Sequence, residues 1–276
     1  MILDTSAGEL LPLAFALAAT GAISGLLAGI FGVGGGAVIV PIVDLVLAAL
    51  GYDDSVRMHL AIGTSLGVIV PTSFRAFMAH RRRAAINMEV LRSWLVPVPL
   101  GVGLASFVAA VSTGVQLRAT FACLAFLLSL KLIFNLKAGR VSERMPGWPV
   151  RALAGIVVGF LSALMGIGGA VLSMTYMTMF GRPIHEAVGT AAAIGVLVAI
   201  PGALGYMVAG WGEPGLPPFS LGYVNLLAVA VMIPLSIAVA PYGVRIAHMM
   251  SRRQLEVAFG LFLLTVAVRL GVTLFA

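Results

Sequence analysis

The stretch LLAGIFGVGGGAVIVPIV, Leu26 to Val43, decides how this chain is read. Gly29, Gly32, Gly34, Gly35 and Gly36 interrupt a run that is otherwise apolar. Each glycine weakens a helix by about 1 kcal/mol relative to alanine. It also has no Cβ, so the backbone can turn sharply or approach another group closely. The run reads as two helices that part inside an apolar medium.

Composition identifies that medium. Hydrophobic residues make up 61% of the 276 residues and charged residues 10%, and mean hydropathy is +1.09. Soluble domains carry about a quarter charged residues, so lipid must cover most of this surface. The fold class that follows is an all-α integral membrane protein. Segments of about 20 apolar residues are long enough to cross the hydrocarbon as helices. Candidate spans lie near 10–31, 37–50, 58–79, 93–112, 118–136, 151–166, 170–181, 186–209, 223–244 and 255–275. Segments 37–50 and 170–181 are short, as half-helices or tilted pieces would be, so the bundle has eight to ten spans. Continuous runs such as LAFALAATGAISGLLAGIF lack the alternation of a β-barrel. Asp4 and Glu9 precede the first run, whereas a cleaved signal begins with a positive region. The single cysteine, Cys123, leaves no intramolecular disulfide to form.

The chain repeats itself. GLLAGIFGVGGGA from Gly25 returns as GFLSALMGIGGAV from Gly159, AIGTS (61–65) as AVGTA (187–191), VPLG from Val98 as IPLS from Ile233, and LRATF from Leu117 as LEVAF from Leu255. The order is kept, which divides the chain into repeat 1 (1–136), a linker (137–150) and repeat 2 (151–276). Loops on the cytoplasmic side are enriched in Lys and Arg. With the N-terminus outside, 14 of the 17 basic residues fall on one side, and loops 80–92, 137–151 and 245–253 become cytoplasmic. Arg57, Arg118 and Arg269 are left near the other face. Equivalent loops carry opposite charge character: HRRRAAINMEV against GWGEPGLPPFS, and STGVQL against RIAHMMSRRQ. Two halves inserted upside down relative to one another would give that pattern, as in many secondary transporters.

Matching glycine-broken segments in inverted halves point to a midplane binding site. A break at GIFGVGGGAV leaves amide N–H groups at Gly35, Gly36 and Ala37 without helical partners. Those groups and the positive end of the next helix favour an anion. MGIGGAV would act likewise in repeat 2. Glycines in membrane helices also serve tight helix packing, and Gly21, Gly25, Gly29, Gly155 and Gly159 have the four-residue spacing for it. Thr64 and Ser65, with Thr190 as mirror, put hydroxyls in an apolar setting. Ionisable residues inside spans are functional candidates. Asp44 is a candidate proton or anion relay, as is Arg75 near the cytoplasmic end of its helix. Lys131 and His80 read as interfacial, and His59, His185 and Glu186 as groups at helix starts, capped or solvated. The glycine run is no phosphate loop, because no strand precedes it and no lysine follows. No catalytic triad, metal-ligand spacing or nucleic-acid signature is present, so no enzyme, cofactor, metal or nucleic-acid partner is expected.

GIFGVGGGAVIVP followed by AIGTS, the basic loop AHRRRAAI, and a second LMGIGGAVL with AVGTA resemble the TauE/SafE sulfite exporter family over essentially the whole chain. The resemblance implies a bacterial inner-membrane carrier of sulfite, sulfonates or other small sulfur-containing organic anions. By position, it implies a substrate region of Gly32, Gly34, Gly35, Gly36, Thr64 and Ser65, with Gly166, Gly168, Gly169 and Thr190 opposite; Ala37 joins through its amide. The second copy departs from the pattern at Ala170, Thr175 and Ala191, which makes for an asymmetric site. An alternating-access exporter of a small oxyanion is thus expected in the lipid bilayer. An anion channel and an uptake permease for another small organic anion are the competing readings.

Overall fold

A computed structural model describes residues 7–31, 36–82, 86–135, 142 and 145–274. Repeat 1 supplies α1 (Ala7–Phe31), α2 (Gly36–Ala49), α3 (Asp54–Arg82), α4 (Met88–Trp94), α5 (Pro97–Val111) and α6 (Gly114–Ile133). Repeat 2 supplies α7 (Trp148–Leu164), α8 (Ala170–Met179), α9 (Ile184–Ala209), α10 (Leu226–His248) and α11 (Arg252–Val272). Between α9 and α10 a small antiparallel hairpin joins β1 (Ser220–Leu221) to β2 (Val224–Asn225).

Among the described residues, five helices are long and apolar enough to cross a membrane: α3, α6, α9, α10 and α11. The pair α4 and α5, bent by 42°, would make a sixth. The sequence reading of eight to ten spans counted shorter pieces too. Gly36–Ala49, Trp148–Leu164 and Ala170–Met179 are apolar but short, as is the stretch Phe15–Leu27 of α1. The single span expected over 93–112 is α5 with a bend before it. Pro97 opens α5, a position where its missing N–H costs nothing.

Local chemistry fixes where helices begin, and the two halves use the same devices. Thr113 and Gln116 form a capping box at α6, and Ser251 and Gln254 form one at α11. Asn87 accepts the Val90 N–H to cap α4, and Asn225 accepts the Ala228 N–H to cap α10. Each such cap contributes about 1 kcal/mol.

Helices α3 and α9 pack on each other at the centre, each with one short helix alongside, α2 and α8 respectively. Around them α1 packs on α10, α5 on α7, and α6 on α11. Small residues let these backbones close up, as expected between helices in lipid. A methyl group added at Gly25 would lie 2.5 Å from Ser236 Cα, and one at Gly21 would lie 2.8 Å from Met232 Cα. Gly159 meets the Val98 carbonyl and Gly101 the Ile156 carbonyl in the same way. The outer surface is apolar instead of charged: Leu100, Leu104, Phe107, Val111, Leu153 and Val157 are all exposed. In water, such a contiguous apolar face would be a liability. In lipid it is the surface required.

Candidate functional site

The second glycine break is an interruption of the backbone. Helix α7 stops at Leu164 and α8 starts at Ala170. Gly166 has φ +60° and Gly169 has φ +71°, dihedrals that other residues adopt only at a cost. These two positions therefore need glycine. The chain is pinned on entry by Gly166 N–H donating to Ala163 O and Ile167 N–H donating to Ser162 O. Gly169, at the start of α8, gives it no side-chain cap. The first amides of a helix have no partner within it, and no side chain caps those that open α8.

The first glycine motif, with Gly32, Gly34 and Gly35, lies outside the described residues up to Gly36. Its far end is visible. Gly36 begins α2 and is buried, as is Ala37. A methyl at Gly36 would lie 2.5 Å from Gly166 O and 2.8 Å from Ile167 Cα. The ends of the two mirrored motifs are therefore in backbone contact. Ser65, fully buried on α3, ties them: its Oγ donates to Gly166 O at 2.8 Å, with Gly36 O at 3.5 Å. Gly168 lies beside Ile69 and near Ser73.

One hydroxyl here has no partner. Ser162 is fully buried, and its Oγ makes no hydrogen bond among the described residues. It sits 3.3 Å from where a Gly169 Cβ would be, beside the uncapped start of α8. An unsatisfied buried polar group costs about 1–3 kcal/mol, a cost that a ligand oxygen would relieve. The sequence reading missed Ser162, whose place in the first copy is taken by Ala28. That break of the repeat was the available signal.

The two threonines do different work from Ser65. Thr64 Oγ1 accepts the Asn225 N–H at 3.0 Å, and Thr190 Oγ1 accepts the Asn87 N–H at 2.8 Å. Thr190 also donates to Glu186 O at 2.7 Å, and Asn87 Nδ2 donates to Glu186 Oε1. Each threonine thus holds the capped start of a helix from the other half onto the central pair. Asn87 and Asn225 were not singled out from the sequence, although INMEV and VNLLA were there to be compared.

Of the charged candidates, Asp44 lies apart from the breaks. Asp44 is eight residues along α2 from Gly36, about 12 Å at 1.5 Å per residue. It is 3% exposed and sits between Arg57 of α3 and Arg118 of α6. Arg75 is exposed on α3, ten residues from Ser65 and two beyond Ser73, the residue near Gly168. His59 corrects an expectation: rather than being solvated at a helix start, it is buried, stacked on Tyr223, with Nε2 3.1 Å from both Ala109 O and Ser112 O. The hairpin that carries Tyr223 packs down on α3 and fills the space His59 would otherwise share with water. Lys131 is half-buried and donates to Thr175 on α8 at 2.7 Å. Just before α3, outside the spans, hydrogen bonds from Ser55 hold the exposed Asp53 carboxyl below the usual range.

Comparison with known proteins identifies the family. The family model for sulfite exporter TauE/SafE matches residues 17–270. A probable membrane transporter protein of Haemophilus influenzae is 32% identical over 251 residues, covering 91% of this chain and 95% of its own. One of Methanocaldococcus jannaschii is 29% identical over 273 residues, covering 92% and 96%. The Bacillus subtilis probable membrane transporter protein YunE is 26% identical over 237 residues, covering 79% and 82%. No solved structure matches. The chain belongs to the sulfite exporter TauE/SafE family and is a multi-pass membrane transporter.

Proposed function

We propose that this transporter carries a small sulfur-containing oxyanion, sulfite or an organosulfonate, out of the cell by alternating access, and that the anion is held where the two glycine breaks meet. The observation that carries this reading is the contact of Gly36 with Gly166 under the Ser65 hydroxyl, beside an uncapped helix start and the orphan Ser162 hydroxyl. Amide and hydroxyl donors suit an oxyanion because they supply hydrogen bonds without a fixed countercharge. The anion can then be released again on the far side. In this conformation the breaks touch, so the seat is closed, and a solute enters as they separate.

The two halves are read as inverted, which the mirrored contacts support. Thr64 with Asn225 and Thr190 with Asn87 are the same interaction made twice, each between the halves. The pairing of α1 with α10 and of α5 with α7 is likewise one contact made twice. The distribution of arginine and lysine adds to this. In such a frame, rocking one half against the other changes which side reaches the breaks. The bacterial inner membrane and a cytoplasmic position for the basic loops follow from the same reading. An interior-negative potential expels a monoanion with about 2.3 kcal/mol per charge per 100 mV, so export needs no further energy source.

A thermal-shift panel on purified protein tests the cargo. Sulfite, thiosulfate and small sulfonates should raise Tm in a saturable way, and carboxylates of equal charge should raise it less. A response to carboxylates alone, or to none of these anions, would overturn the assignment.

A further inference from the structure

At the far end of α2 from the glycine contact lies a buried charge cluster that anion binding at the breaks does not use. Arg118 of α6 is 1% exposed and grips Asp54 with two hydrogen bonds, at 2.9 and 3.0 Å. Arg57 of α3 also pairs with Asp54 and donates to Tyr52 O. Asp44 of α2 reaches neither arginine at hydrogen-bond distance: its Oδ1 is 3.8 Å from Arg57 Nε and 3.9 Å from Arg118 Nη2. Among the described residues, three polar atoms of the cluster are buried without hydrogen-bond partners: Asp44 Oδ1, Arg57 Nε and Arg118 Nε. Arg269 of α11 adds a further positive charge within electrostatic reach of Asp44. Asp54 is half exposed and Asp53 is in water. Of the largely buried members, then, two are cations and one is an anion.

Ion pairs in apolar surroundings hold firmly only when their geometry is good and the remaining donors are satisfied. Here one carboxylate oxygen is set against two guanidinium groups, at a separation suited to exchange. We propose that Asp44, Arg57 and Arg118 form an ion-exchange lock on the route facing away from Arg81 and Arg82. In the empty protein Asp44 keeps α2 against α3 and α6. A monoanionic oxyanion passing on this side replaces the Asp44 carboxylate on Arg57 and Arg118, and α2 is freed to move. Because α2 begins at Gly36, release of its far end loosens the glycine contact. The lock therefore couples occupancy by the anion to opening of the seat. The inference rests on the anion-transport reading above.

The test is counterflow in proteoliposomes, with sulfite and methanesulfonate presented to the face opposite Arg81 and Arg82. Asp44→Asn keeps the shape and removes the competing charge, so its KM should fall about fivefold or more. Arg57→Gln removes one of the cations, so KM should rise by a similar factor. Asp44→Glu, whose carboxylate reaches further towards the guanidinium groups, should also raise KM; Asp44→Ser, likewise uncharged, replaces Asp44→Asn if that does not fold. Opposite signs for Asp44→Asn and the other two are the signature; a purely structural cluster would move all three the same way. Unchanged KM, or shifts of one sign, in variants of an active wild type would overturn the lock and leave the transport reading standing. A wild type that carries neither anion would overturn both.

Discussion

At the scale of single residues, hydroxyls separate by whether they have partners. Ser65 is committed to Gly166 O, Thr64 and Thr190 to cross-half amides, and Ser162 to nothing described. A committed hydroxyl supports the fold, and its removal costs about 0.5–1.5 kcal/mol. An orphan one destabilises the empty protein, a cost that a bound ligand would relieve. Ser162→Ala should therefore raise the Tm of the empty protein by a few degrees, since it removes a buried group whose lack of a partner costs about 1–3 kcal/mol. The same variant should lose most of the sulfite-induced Tm shift. Full retention of that shift would remove Ser162 from the site. The sequence singled out Ser65 for the substrate region, and the fold sets its hydroxyl on Gly166 O, but the sequence could not distinguish committed hydroxyls from free ones. Partnership depends on which backbone the fold brings alongside.

At the scale of elements, almost every helix was legible. Apolar runs with glycine or proline at their edges marked α1 to α3 and α5 to α11 to within a few residues. Glu89 and Arg92 lower the local hydropathy, however, so most of α4 was read as part of loop 80–92 and only its last two residues were counted with α5. The β1–β2 hairpin was missed because PPFSLGYVN carries too few residues for a strand pattern. That hairpin matters, since it carries Tyr223 onto His59 and Asn225 onto Thr64. The short helices α2 and α8 are alike in sequence yet differ in surroundings. Residues 36–41 of α2 are buried, whereas only Ser173 and Met177 are buried in α8. Helix α2 is thus enclosed along its first half, whereas α8 is only partly covered beyond its start.

At the scale of the whole molecule, the charge count predicts an orientation and the repeat predicts an inverted plan, while side-chain partnership needed the fold. The buried Arg118 was read only as lying near one face. Its neighbours Asp44 and Asp54 come from helices brought together by packing, which spacing along the chain does not reveal. Inversion makes a plain demand on topology. In a Cys123→Ser background, Arg82→Cys and Glu213→Cys, both exposed positions, should label from opposite sides with an impermeant thiol reagent. Labelling from the same side would end the inverted plan.

The most direct measurement is saturable counterflow of sulfite by Gly36→Ala in proteoliposomes, beside wild type. A single added methyl would meet Gly166 O at 2.5 Å and Ile167 Cα at 2.8 Å, forcing the two breaks apart where the anion is held. Wild type should show counterflow that saturates, and a Gly36→Ala protein that still inserts and purifies as a single species should have lost at least about nine-tenths of it, a change of roughly 1.4 kcal/mol or more. Undiminished counterflow in that variant would place the anion elsewhere and contradict the account.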